Sequence, residues 1–156
     1  MRTLILYATK HGATKEIAEK LAGQFEGATV CNLDDNITFD LGKYDCVMIG
    51  SALYAGMVRK SAKEFVKENA DALKKVQLGL FLSGMQNDGE DSFLKMNYPE
   101  EITAHAKAVA LLAGISDPSK GNFFEKLVMR IVTKKSVYVN TISDEKVAAF
   151  ADAMKK

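Results

Sequence analysis

The chain is poor in cysteine, with Cys31 and Cys46 the two in 156 residues. Two are too few for a disulfide framework and match no metal-ligand spacing, so both are expected as free thiols. Charge of one sign is also lacking: 21 Lys and Arg against 20 Asp and Glu leave a net +1, which removes any polycationic drive toward nucleic acid. No run approaches the ~20 apolar residues of a membrane span. The chain enters a strand-like segment at once, with no apolar leader behind a basic one, so a cytoplasmic protein is expected. Neither G-x-x-x-x-G-K-S/T nor G-x-G-x-x-G occurs, which excludes a Walker-type loop and a dinucleotide fingerprint. Seven methionines are scattered as core filler, and no repeat or low-complexity linker divides the chain. With 47% hydrophobic residues, residues 1–156 suit a single domain with a substantial core.

What is present begins with Leu4-Ile5-Leu6-Tyr7-Ala8-Thr9-Lys10-His11-Gly12-Ala13-Thr14. A strand buried on both faces runs into a hydroxyl-rich turn and then a helix expected over residues 14–26. Unpaired amides and the helix dipole at such a terminus favour one phosphate, with Thr9 and Thr14 as hydroxyl donors and Gly12 and Ala13 as backbone donors. Lys10 and His11 are expected to project to solvent, His11 with the option of pairing with the phosphate. Alone, this T-x-x-G-x-T turn is equally compatible with a plain strand-to-helix corner in which Thr14 caps the helix and Gly12 supplies a positive φ. Strand and helix alternate thereafter: strands over 28–32, 45–50 and 77–83, and a helix over 60–74. This implies right-handed crossovers and a parallel sheet. Residues 98–105 read as a helix and 109–115 as a fifth strand, against the propensity of the alanine-rich run. A turn cluster at 117–122 precedes a helix over 123–133 and a strand-like run at 136–140. Ser143 caps a closing helix with Val147, Phe150, Ala151 and Met154 as its buried stripe.

A second strand, Tyr44-Asp45-Cys46-Val47-Met48-Ile49-Gly50, ends in Ser51-Ala52-Leu53-Tyr54-Ala55-Gly56. Together the two motifs resemble the flavodoxin family. The resemblance implies an α/β, doubly wound, five-stranded parallel sheet of order 2-1-3-4-5 with helices on both faces, and one FMN as cofactor. It places residues 9–14 at the FMN phosphate and Ser51, Ala52, Leu53, Tyr54, Ala55 and Gly56 against the flavin ring. Ser83, Gly84, Met85 and Gln86, after the apolar run 78–82, close the other side. Tyr54 is the expected ring-stacking aromatic. Gly56 is the residue that lets a peptide beside the ring change orientation. In the 2-1-3 order one strand separates Cys31 from Cys46, placing their backbones roughly 10 Å apart and beyond bridging distance.

The ending at residues 49–56, the helix around Phe65-Val66-Lys67 and the tail from Phe123 to Val139 are similar to the flavodoxin-like, quinone-dependent protoporphyrinogen oxidases. This implies an FMN-dependent oxidoreductase whose partners are a redox protein and a quinone or porphyrin-type substrate, with no catalytic side chain because the chemistry belongs to the flavin. The alternative is a soluble electron carrier for ferredoxin-linked partners. The near-neutral charge departs from the acidity usual in carrier flavodoxins, and the polar stretch 86–91 lacks their ring-flanking Trp or Tyr. The compact length and absence of an evident porphyrin-binding insertion favour the carrier. Lys126, Arg130 and Lys134, spaced four apart, outline a basic face on the 123–134 helix that could rest on the inner face of a membrane, or simply be a solvated side. His105 is expected to end a helix rather than to act as an acid or base.

Overall fold

In the computed structural model the described residues are 1–9, 12–35, 37–54, 56–84, 90–112, 115–116, 139–140 and 142–156. In chain order they form β1 (Thr3–Ala8), α1 (Ala13–Ala22), β2 (Thr29–Asn32), short 3₁₀ turns at Leu33–Asp35 and Leu41–Lys43, β3 (Cys46–Tyr54) and β4 (Met57–Val58). There follow α2 (Lys60–Glu68), α3 (Ala70–Leu73), β5 (Gln77–Ser83), α4 (Glu90–Asn97), α5 (Glu100–His105), β6 (Ala108–Leu111), β7 (Ile115–Ser116), β8 (Val139–Asn140) and α6 (Asp144–Lys155).

The main sheet runs β2-β1-β3-β5-β6 with all four pairings parallel, which is the expected 2-1-3-4-5 order of the five long strands. Two-residue β4 is an addition, antiparallel to the end of β3, and β7 pairs with β8 in a separate antiparallel ladder. Side chains on a strand alternate between faces, and the sequence divides accordingly. Leu4, Leu6 and Ala8 of β1 join Val47, Ile49, Leu78 and Leu80 in one core with Ala62, Val66, Leu73, Leu94 and Ile102 from α2 to α5. Ile5 and Tyr7 join Met48 and Phe81 in the other, with Ile17, Ala18 and Leu21 of α1 and Val147, Phe150, Ala151 and Met154 of α6. Both faces of the sheet are therefore dry, which is why its strands read as unbroken apolar runs.

Several boundaries differ from expectation. Residues 51–54 continue β3 rather than forming a loop, because Leu53 pairs with Val58 and Tyr54 with Met57. The helix expected over 60–74 breaks at Asn69, whose side-chain amide donates to the Phe65 carbonyl at 2.9 Å. Residues 90–97 are helical, so the helix begins within the polar stretch 86–91. The alanine-rich run does leave the helix at His105, since Lys107 donates to Leu78 at 2.7 Å and Ala108 pairs with Gly79. His105 Nε2–H donates to the Val76 carbonyl at 2.8 Å, a structural role. The fifth strand stops at Leu111, and Ile115 belongs to the second ladder. Ser143 caps α6 by accepting from the Lys146 amide at 3.2 Å. The helix expected over 123–133 lies outside the described residues.

Candidate functional site

Parallel pairing aligns the ends of three strands. Ala8 lies opposite Ser51, and Ala52 opposite Ser83, so the ends of β1, β3 and β5 meet at the carboxyl edge of the sheet. The winding direction reverses there, with α1 on one face and α2 on the other, and this is where open α/β sheets hold ligands.

At the end of β1, Gly12 stands at the N-cap of α1 with φ +95°, a left-handed conformation that favours glycine. This replaces Thr14 as the cap. Having no side chain, Gly12 leaves the amides at the start of α1 without a side-chain cap, and among the described residues no atom beyond its chain neighbours lies within 4 Å of where its Cβ would stand. The Gly12 amide donates to Thr9 Oγ1 at 2.9 Å, leaving the Thr9 hydroxyl proton to donate elsewhere. Thr14 is fully buried, and its hydroxyl meets that of Ser83 at 2.7 Å, tying the first turn of α1 to the end of β5. Two hydroxyls sharing one hydrogen bond retain one further proton. Open amides, a glycine cap and spare hydroxyl protons fit a single phosphate group. Lys10 and His11 lie outside the described residues.

At the end of β3, the hydroxyl of buried Ser51 accepts from the Arg59 amide at 2.9 Å and donates to the Ala52 carbonyl at 3.0 Å, fastening the β3–β4 hairpin at its base. Tyr54 on its rising arm is 49% exposed, so an aromatic ring stands at the surface beside the sheet edge. Gly56 at the tip has φ +79° and faces Phe93 of α4; a Cβ added there would stand 3.4 Å from that ring. Ala55 of this tip, and Met85 and Gln86 after β5, lie outside the described residues, whereas Gly84 follows Ser83 directly. Sequence reasoning missed Asn97, a buried amide at the end of α4 that bonds the Gly56 carbonyl and the Val58 amide. Nothing in its local pattern marks it.

Neither cysteine offers a nucleophile. Both are free thiols: burial pushes Cys46 up to about 11, and burial also raises Cys31. Among the described residues no group of His, Cys, Asp and Glu could hold a metal, and no helix is long and apolar enough to cross a membrane.

The flavodoxin domain family matches residues 4–141 of the chain. The protoporphyrinogen IX dehydrogenase (quinone) of Escherichia coli is 36% identical over 77 residues, covering 47% of this chain and 42% of that protein, so the match spans less than half the length of that relative. The two-electron reduced Megasphaera elsdenii flavodoxin superposes with a TM-score of 0.63 at 15% identity, covering 97% of each chain. A Lactobacillus acidophilus flavoprotein solved with FMN gives 0.57 at 17% identity, covering 70% of this chain and 92% of that one. At these identities the solved structures establish a shared fold.

Proposed function

The chain belongs to the flavodoxin domain family, and from that premise we propose that it binds one FMN without a covalent bond and transfers electrons through it. The observation that carries this reading is the meeting of the β1, β3 and β5 ends at one sheet edge, tied by the Thr14–Ser83 hydroxyl pair. When bound, the flavin supplies the redox chemistry. The chain's residues bind and orient it: Thr9, Thr14 and the amides following Gly12 hold the phosphate, with Ser83 bracing the Thr14 hydroxyl. Tyr54 covers a ring face, and Ser83 and Gly84 border the ring's polar end. Lys10, His11, Ala55, Met85 and Gln86 complete the proposed contacts.

Within that class, an oxidoreductase of the quinone-linked protoporphyrinogen dehydrogenase type is favoured over a soluble carrier. Its support is the 36% identity over 77 residues, together with a net charge of +1. Its acceptor would be a quinone, its substrate a porphyrin-type molecule, and its setting the cytoplasm with peripheral contact at the membrane.

Equilibrium titration of the purified chain with FMN and FAD tests the reading. FMN should bind and quench, and FAD should bind far more weakly, because the cradle suits one terminal phosphate. Thr14→Ala removes a hydroxyl from that cradle, and a hydrogen bond to a charged group is worth about 1.5–3 kcal/mol, roughly ten- to hundredfold in affinity. Equal FMN affinity for wild type and Thr14→Ala removes Thr14 from the site, and no FMN binding by wild type overturns the reading. Anaerobic mixing of the reduced protein with a quinone separates enzyme from carrier, since only the enzyme should reoxidise at a rate that saturates with quinone.

A further inference from the structure

Asn97 is 4% exposed, and its side-chain amide is used three times. Nδ2 donates to the Phe93 carbonyl at 2.7 Å, anchoring the group to its own helix, and to the Gly56 carbonyl at 3.0 Å. Oδ1 accepts from the Val58 amide at 3.1 Å. Two of the three bonds therefore cross from α4 to the β3–β4 hairpin, on either side of Met57. Leu94 and Tyr98, both buried, seat this end of α4 in the core, so the amide acts from a rigid base.

The residue it grips has a backbone freedom that its neighbours in the hairpin lack. Gly56 has a positive φ and no side chain, so the peptide joining it to Met57 could turn over at little steric cost if nothing held its carbonyl. The Asn97 amide is buried, so leaving it without partners is costly, which makes the held orientation the stable one. We infer that Asn97 is a positioning residue that pins the Gly56 carbonyl away from the flavin ring and thereby sets the potential of the bound cofactor. This rests on the reading above, in which FMN lies against the hairpin tip. Reduced flavin carries a hydrogen on N5, and a free carbonyl at the ring edge would accept from it and favour the reduced form. While Asn97 holds that carbonyl the acceptor is withheld, and the potential stays lower.

The test compares wild type with Asn97→Ala and with Asn97→Leu. The leucine variant keeps the volume while deleting donor and acceptor, and serves if the alanine variant does not fold. Two quantities are read on the full chain. Amide hydrogen exchange without flavin should show Val58 exchanging at least tenfold faster in the variants, with β1 and β5 amides unchanged. Redox titration with FMN bound should move the first one-electron equilibrium about tenfold toward reduction, a rise of about 59 mV. A variant that folds and binds FMN with its first one-electron equilibrium within twofold of wild type, or shifted away from reduction, overturns the inference and leaves Asn97 a brace. Failure of wild type to bind FMN defeats the flavin reading itself, and the redox role of Asn97 with it. Unchanged Val58 exchange in an FMN-binding variant defeats the clamp alone.

Discussion

At the scale of single residues, the start of the sheet is pinned by a charge pair at its surface. Asp45, just before β3, accepts from the Arg2 amide at 2.8 Å and from Arg2 Nη2 at 3.1 Å. The Arg2 side-chain and backbone donors hold the Asp45 carboxyl down to about 2 from its ordinary 3.8. A carboxyl depressed by folding contributes stability that is present above the unfolded value and lost as pH falls from there through the folded one. Wild type should therefore lose stability between about pH 4 and pH 2 more steeply than Asp45→Asn. Urea midpoints measured across that range check this, and parallel curves would show that the exposed pair does nothing for folding.

Individual elements depend on glycines that let them approach. Gly50 of β3 stands beside Phe81 of β5, and a Cβ there would overlap the Phe81 ring. Gly79 of β5 gives room to α6 in the same way, since a Cβ would stand 2.7 Å from Met154 Sδ and 2.9 Å from Phe150 Cζ. The Phe150 ring meets Phe81 edge-on at 5.8 Å, so the clash at Gly50 falls on a side chain already held from its other side. Gly50→Ala should cost about 1–3 kcal/mol by overpacking, read as a lower urea midpoint with unchanged slope. A midpoint equal to wild type would mean that the Phe81 ring repacks freely.

Across the whole molecule, the sheet order brings the ends of β1, β3 and β5 to one edge, whereas the proposed membrane-facing surface lies elsewhere in sequence. Lys126, Arg130 and Lys134 are its proposed basis, and each basic residue near an anionic surface contributes about 1 kcal/mol. Replacing all three with Gln should weaken sedimentation with anionic, quinone-bearing vesicles about a hundredfold at low salt while FMN affinity stays constant. Absence of vesicle binding by wild type, together with no quinone-dependent reoxidation, would favour the soluble carrier.

Apolar periodicity, a local property, is sufficient for β1, β5 and α6 and for the presence of α1, which stops at Ala22 with Gly23 as its C-cap instead of running to residue 26. The alternation of Leu4, Leu6 and Ala8 with Ile5 and Tyr7 already contains the two core layers, and the stripe Val147–Phe150–Ala151–Met154 already identifies the buried face of α6. The family pattern in residues 9–14 and 51–56 likewise points to one edge. Tertiary contacts decided what depends on partners distant in sequence. Pairing with β4 carried β3 on through Tyr54, and pairing of Ala108 with Gly79 drew an alanine-rich run into a strand that its propensity opposes. The hydroxyl of Thr14 found Ser83, 69 residues away, and Asn97 reached 41 residues back to Gly56. Such bonds have no period and no fixed spacing. They arise only when packing places a buried donor within reach of an acceptor that water no longer serves.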